Sequence, residues 1–100
     1  MEKAKRKMIE VSANQILLFK IVRDAHPTAR LNYPIRTPYT TVYADIALPG
    51  RKIDVEYDVE YWHRPRALRD RARDAALRLM GWRTIRTKEV SEGILELIGR

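Results

Sequence analysis

The sequence predicts a small α/β domain in which a mixed β-sheet of about four strands is flanked by helices. Three observations support this prediction: a helical apolar pattern near the N-terminus, two β-branched runs around a turn, and a second helical stretch that ends at a glycine. The chain has 100 residues, a length that suits one domain with a modest core. Residues 1–100 are therefore predicted to form a single domain.

One helix is predicted near the N-terminus, behind a basic lead-in. Residues 1–8 are interpreted as a flexible basic arm or as the frayed start of a helix. Ser12 is a good N-cap, and the apolar residues after it follow the helical period. The helix is expected to end near residues 24–26, because Pro27 disfavours helical geometry in the residue before it.

Three strands are predicted next. A short strand is expected over residues 31–35, before a loop through Pro38. The apolar runs at 42–48 and 52–58 flank the turn sequence Pro-Gly-Arg-Lys at 49–52, which is typical of a β-hairpin.

A helix, a strand and a final helix complete the predicted order. The helix begins near Pro65 and ends at Gly81, since proline suits a first turn and glycine a C-terminal stop. A strand over residues 82–86 and a helix over 89–98 follow. The apolar stripe of the first of these helices is predicted to be Leu68, Ala72, Ala75, Ala76 and Leu79. The inward residues of the last helix are predicted to be Val90, Ile94, Leu97 and Ile98.

Acidic residues are expected to converge on the predicted hairpin. A turn that closes symmetrically about Gly50 and Arg51 places Asp45 directly opposite Glu56, and Asp58 projects from the same face as Glu56. Such carboxylates repel unless a cation, a proton or an arginine lies between them. Asp54, in the same run, is interpreted as a solvated residue.

These carboxylates suit a hard divalent cation. Mg²⁺ prefers oxygen ligands and is satisfied by one or two carboxylates together with waters and phosphate oxygens. Asp45 and Glu56 are the predicted ligands, and Mn²⁺ is expected to substitute for Mg²⁺. His63 has a side chain suited to proton transfer near neutral pH. The alternatives are that Asp45 is a surface residue or the partner of an arginine, and that His63 is structural.

The net charge of +7 indicates a polyanionic partner, with nucleic acid ahead of an anionic membrane surface. The second predicted helix is crowded with arginines, between which Asp70 and Asp74 are interleaved. Arginine forks match phosphate oxygens, although a solvated face with weak ion pairs is the alternative. The residues predicted to bind nucleic acid are Arg64, Arg66, Arg69, Arg73 and Lys52.

Other chemistries and locations are disfavoured by composition. The chain has no cysteine, which excludes disulfides and thiolate zinc, and its two histidines are too few for a histidine cage. No stretch is long and apolar enough to predict a membrane span, and none has the pattern of a secretory signal. The expected location is cytoplasmic.

The sequence also resembles the very-short-patch-repair-like, EDxHD-type branch of the PD-(D/E)XK nuclease superfamily. Five short pieces carry the resemblance, in order, within residues 12–90: Ala44-Asp-Ile-Ala-Leu-Pro, Ile53-Asp-Val-Glu-Tyr-Asp, Tyr61-Trp-His, Arg69-Asp-Arg-Ala-Arg-Asp-Ala-Ala-Leu and Gly81-Trp-Arg-Thr-Ile-Arg. The resemblance implies a small restriction-endonuclease-like fold and Mg²⁺-dependent hydrolysis of phosphodiester bonds in DNA, with branched or mismatched DNA among the candidate substrates.

The resemblance also implies roles for individual residues. Asp45 and Glu56 match the metal-binding positions, and Asp58 and His63 match the remaining catalytic positions. Arg69 with Asp70, or Arg73 with Asp74, matches an arginine-aspartate element in the following helix. Relatives often carry a glutamate in the first helix, where this chain has Gln15 as an accessory residue, and a glycine where it has Val59.

Three hypotheses therefore remain from the sequence. The first is a Mg²⁺-dependent DNA endonuclease, which would nick as a monomer and cut both strands as a homodimer or in two visits. The second is a non-catalytic nucleic-acid-binding module on the same fold. The third is a subunit whose basic surface docks an acidic protein. The choice between RNA and DNA stays open.

Overall fold

A computed structural model describes residues 12–59 and 67–99. The described elements are α1 (Ala13–Ala25), β1 (Arg30–Arg36), β2 (Thr41–Leu48), β3 (Ile53–Tyr57), α2 (Ala67–Leu79), β4 (Arg83–Thr87) and α3 (Gly93–Ile98). This order and the flanked sheet confirm the predicted α/β class. The basic lead-in at residues 1–8 and the helix start expected at Pro65 lie outside the described residues.

The four strands form one mixed sheet in the order β1-β2-β3-β4. The first three strands pair antiparallel, and β4 pairs parallel to β3. A 3-10 turn at Pro49–Arg51 joins β2 to β3, and Lys52 after it takes the left-handed conformation with φ 53°. The predicted hairpin register is confirmed, since Ile46 pairs with Val55 and Leu48 pairs with Ile53.

One face of the sheet is covered by α1 and α3. The Ser12 side chain accepts a hydrogen bond from the Gln15 amide at 3.1 Å, which confirms the predicted N-cap of α1. Leu18 and Val22 of α1 are fully buried in a core that includes Val55 of β3 and residues of α3. This core contains the odd-numbered residues of β3, because successive side chains of a strand point to opposite faces.

The other face is covered by α2, and here the predicted apolar stripe is wrong. Leu68 and Leu79 are 78% and 79% exposed, whereas Leu77 is fully buried against Ala47 and Trp82. Arg73, one turn before Leu77, lies partly buried on the same inward side. The prediction failed because the inward side of α2 carries Arg73 over the polar Asp54 and Leu77 over the apolar part of the sheet.

The last helix is shorter than predicted, because regular helix begins only at Gly93. Ile94 and Ile98 are buried as expected, but Leu97 is half-exposed, so its predicted inward position is wrong. Among the helices in residues 12–59 and 67–99, none has the length and apolar character needed to cross a membrane.

Candidate functional site

Asp45 of β2 and Glu56 of β3 lie opposite each other, one position beyond the last regular pair, Ile46–Val55. The amide nitrogen of Asp45 donates to Glu56 Oε2 at 3.2 Å, and the amide nitrogen of Tyr57 donates to Asp45 Oδ2 at 2.9 Å. Each carboxylate therefore accepts a hydrogen bond from the backbone of the opposite strand. The hairpin brings the two predicted ligands together, as the symmetric turn requires.

A local distortion of β1 and β2 accompanies this position. Asn32 lies opposite Asp45 in the register, between the pairs Leu31–Ile46 and Tyr33–Ala44, and has a positive φ of 50°. Asparagine tolerates this left-handed conformation better than most residues. Leu31 packs into the core under α1, whereas Tyr33 packs into the core under α2, so the strand changes face at Asn32.

The buried centre of the site is Asp54, which is 0% exposed. The interpretation of Asp54 as a solvated residue is therefore wrong. Its Oδ2 accepts hydrogen bonds from Arg73 Nη1 and from the Thr84 hydroxyl, both at 3.0 Å. Its Oδ1 is buried and accepts no hydrogen bond in the described part of the chain.

Arg73 of α2 bridges the carboxylates of β3. Its Nη1 lies 3.0 Å from Asp54, and its Nη2 lies 2.9 Å from Glu56 Oε2 and 3.1 Å from the Tyr43 carbonyl. The sequence predicted that Arg73 binds phosphate, but its guanidinium donates to three acceptors of its own chain. Paired hydrogen bonds of this kind fix a guanidinium in position.

Asp74 extends the cluster to β4. Its two carboxylate oxygens accept hydrogen bonds from both terminal nitrogens of Arg86, one of them at 3.0 Å, and Oδ1 lies 3.6 Å from Arg73 Nη1. Arg86 pairs with Glu56 in the parallel register, which explains why the same cluster reaches β4. The predicted Arg73–Asp74 element thus contacts the site.

The crowding of carboxylates perturbs the protonation of Glu56. Burial raises the pKa of Glu56 well above its ordinary value, and the hydrogen bond and negative charge of Asp54 and the charge of Asp45 raise it further. The positive charge of Arg73 opposes this rise. Burial alone would lower the pKa of Arg73, but Glu56 and Asp54 outweigh it, so the pKa is raised and the guanidinium stays charged.

This shift predicts that Glu56 contributes stability to the folded domain that is lost as the pH rises. Below the unfolded pKa of Glu56, near 4.5, both states bind the proton; above it the folded state alone retains it, until the pH passes the folded pKa. At this carboxyl the folded state therefore binds more protons in this window, and the contribution of Glu56 to the free energy of unfolding falls with increasing pH. Glu56→Gln should remove this contribution, so that its stability falls less, or rises more, with pH than that of the wild type in urea unfolding at a series of pH values.

The matched control for this pH dependence is Glu89→Gln, at an exposed position between β4 and α3. It should keep the slope of the wild type. An unchanged slope in Glu56→Gln would contradict the assignment of the proton to this carboxyl.

The other predicted site residues lie on several elements around the sheet. Gln15 is buried near the start of α1, where its neighbour Asn14 donates to the Tyr57 hydroxyl at 3.1 Å. Lys52 lies at the far end of β3, where its ammonium donates to the Met80 carbonyl at 3.0 Å. Arg69 is exposed on α2 and Asp70 is partly buried. The amide of Asp58 donates to the Thr87 carbonyl at 2.9 Å, just beyond β3.

Several predicted residues lie outside the described residues: His63, Arg64 and Arg66. Three residues of the cluster were not predicted to belong to it: Asp54, Thr84 and Arg86. A usable signal exists for Thr84 and Arg86, because a strand parallel to β3 places Thr84 beside Asp54 and Arg86 beside Glu56.

Within residues 12–59 and 67–99, no three side chains of histidine, cysteine, aspartate or glutamate are grouped to hold a metal ion. Comparison of the chain with family models, curated proteins and solved structures finds no match. The function proposed for the chain therefore rests on its own residues.

Proposed function

We propose that this domain is a metal-dependent DNA endonuclease whose site lies where Asp45 of β2 faces Glu56 of β3. The observation that carries the proposal is the convergence of Asp45 and Glu56 beside the buried Asp54, one oxygen of which accepts no hydrogen bond from the described residues. Carboxylates gathered in this way are stabilised by a cation. The α/β fold agrees with the restriction-endonuclease-like fold that the resemblance implies.

Asp45 and Glu56 would hold the ion, and their chemistry fits Mg²⁺ or Mn²⁺. Two carboxylates are enough for Mg²⁺, since substrate phosphate oxygens and waters complete its coordination. The Asp45 amide and Arg73 both donate to Glu56 Oε2, so they orient this carboxylate. A bound ion would polarise the phosphoryl oxygen and lower the pKa of a water. His63 is proposed to handle the proton, and Asp58 to tune or complete the site.

The partner is proposed to be DNA because the chain as a whole carries a net charge of +7. Arg69, which is exposed on α2, remains a candidate for phosphate contact together with Arg64 and Arg66. A single site of this kind nicks one strand, and cleavage of both strands requires a homodimer or two visits.

A non-catalytic nucleic-acid-binding module is the second candidate, and the position of Arg73 favours it. The guanidinium already neutralises Asp54 and Glu56, as in a structural ion-pair network. In this case the acidic cluster attaches α2 to the sheet, and the basic surface alone binds the polyanion. The two candidates differ in whether the protein cleaves the nucleic acid that it binds.

A plasmid-nicking assay separates the two candidates. The endonuclease should convert supercoiled DNA to open circles in Mg²⁺ or Mn²⁺, and this conversion should stop in EDTA. Activity that persists in EDTA, or no activity in either metal, would argue against the proposal. Binding without cleavage would instead support the module.

Binding is measured separately, by fluorescence anisotropy of a labelled duplex in EDTA. The affinity should fall steeply between about 50 and 200 mM salt, because phosphate contacts release counterions. A labelled RNA duplex tests the choice of nucleic acid. No binding of either at low salt would exclude both candidates.

A further inference from the structure

The β1–β2 hairpin ends in a turn that is held by its own side chain. The Thr37 amide donates to the Thr40 carbonyl at 2.8 Å, and the Thr37 hydroxyl donates to the same carbonyl at 2.7 Å. The hydroxyl oxygen also accepts from the amides of Tyr39 and Thr40, at 3.2 and 3.0 Å. Thr37 is buried, so the turn is fixed before any partner arrives.

This fixed turn presents an aromatic ring to solvent. Tyr39 is 79% exposed at the apex, directly after Pro38. An aromatic side chain with this exposure contributes little to the hydrophobic core. Because the backbone of the turn is already fixed, less conformational entropy is lost when a partner covers the ring.

The sequence around this ring favours a polyanion. Residues 25–44 contain two arginines and no aspartate, glutamate or lysine. Arg36 lies at the end of β1 beside the turn, is exposed, and pairs across the hairpin with Thr41. An exposed aromatic side chain three positions after an exposed arginine has the composition of surfaces that bind single-stranded nucleic acid.

We propose that Tyr39 stacks on an unpaired base of the nucleic acid while Arg36 contacts the adjacent phosphate. This proposal rests on the proposed function and narrows its substrate class. A base inside an intact duplex is already stacked on both sides and is costly to expose, so the ring should favour DNA with a mismatch, a junction or a single-stranded stretch.

The hairpin also sets a distance from the site of hydrolysis. Tyr39 precedes Asp45 by six positions along the chain, which corresponds to at most about 20 Å in an extended strand. One DNA strand advances about 3.4 Å per nucleotide, so this reach corresponds to at most about six nucleotides. Cleavage is therefore expected a few nucleotides from the unpaired base.

The test measures binding in EDTA, where no cleavage interferes. The probe is a DNA duplex with one unpaired 2-aminopurine, whose fluorescence is quenched by stacking on an aromatic ring. Wild type should quench it and should bind it more tightly than the fully paired duplex. Tyr39→Ala should weaken binding about tenfold and abolish quenching, because stacking on one base has an effect of this order.

Two further variants make the result specific. Tyr39→Phe should retain both binding and quenching, since stacking needs the ring and not the hydroxyl. Leu79→Ala removes an equally exposed side chain, at 79%, from α2 and should have no effect. Wild-type behaviour of Tyr39→Ala, or equal losses in Tyr39→Phe and Tyr39→Ala, would overturn the stacking proposal.

Failure of this proposal is distinguishable from failure of the proposed function. If Tyr39→Ala binds the mismatched probe as tightly as wild type and wild type still nicks plasmid DNA, the stacking role is rejected and the nuclease stands. If wild type binds no DNA at low salt, both are rejected. A protein ligand of the hairpin is indicated only in that second case.

Discussion

Asp45→Asn is expected to reduce metal-dependent nicking by at least about 100-fold, because loss of a metal ligand should exceed the 10- to 100-fold effects of outer-shell changes. The asparagine carbonyl oxygen can still accept the hydrogen bond that Tyr57 donates to Asp45 Oδ2 at 2.9 Å. The fold should therefore survive while the negative charge at the proposed metal position is lost. Plasmid nicking under single-turnover conditions in Mg²⁺ measures the effect.

DNA binding by the same variant provides the control. In EDTA, Asp45→Asn should bind the labelled duplex at least as tightly as wild type, since a negative charge that faces the polyanion is removed. Nicking at the wild-type rate would contradict the assignment of Asp45 as a ligand. Weaker binding together with weaker nicking would indicate a damaged fold.

The hairpin that carries Asp45 could be predicted because its determinants are local. Two β-branched runs and one turn sequence specify the register, and the observed pairs Ile46–Val55 and Leu48–Ile53 agree with it. The helix caps at Ser12 and Gly81 are local in the same sense, and Gly81 takes the positive φ of 86° that ends a helix.

The burial of Asp54 could not be predicted in this way. Alternation along β3 indicates which face Asp54 occupies, but not which helix covers that face. Its partner Arg73 follows it by 19 positions in the chain, and a helical pattern of apolar residues cannot indicate that a guanidinium takes an inward position. Leu68 and Leu79 were assigned to the core for the same reason, although both point outward.

Arg73→Met is expected to lower the free energy of unfolding by about 3–5 kcal/mol, because removal of one partner leaves an uncompensated buried charge. Asp54 is 0% exposed and would keep only the hydrogen bond from the Thr84 hydroxyl. This loss is a large part of the total stability of a small domain, which is about 5–15 kcal/mol. Urea unfolding followed by circular dichroism measures it.

The matched control is Arg69→Met, one turn earlier on α2, where the side chain is exposed. Its effect should stay within about 0.5 kcal/mol, as for most surface substitutions. Addition of Asp54→Asn to Arg73→Met should recover much of the lost stability, because the amide carries no charge and can still accept from Thr84. If Arg73→Met is no more destabilising than Arg69→Met, the bridge between α2 and the sheet is not what holds Glu56 in place.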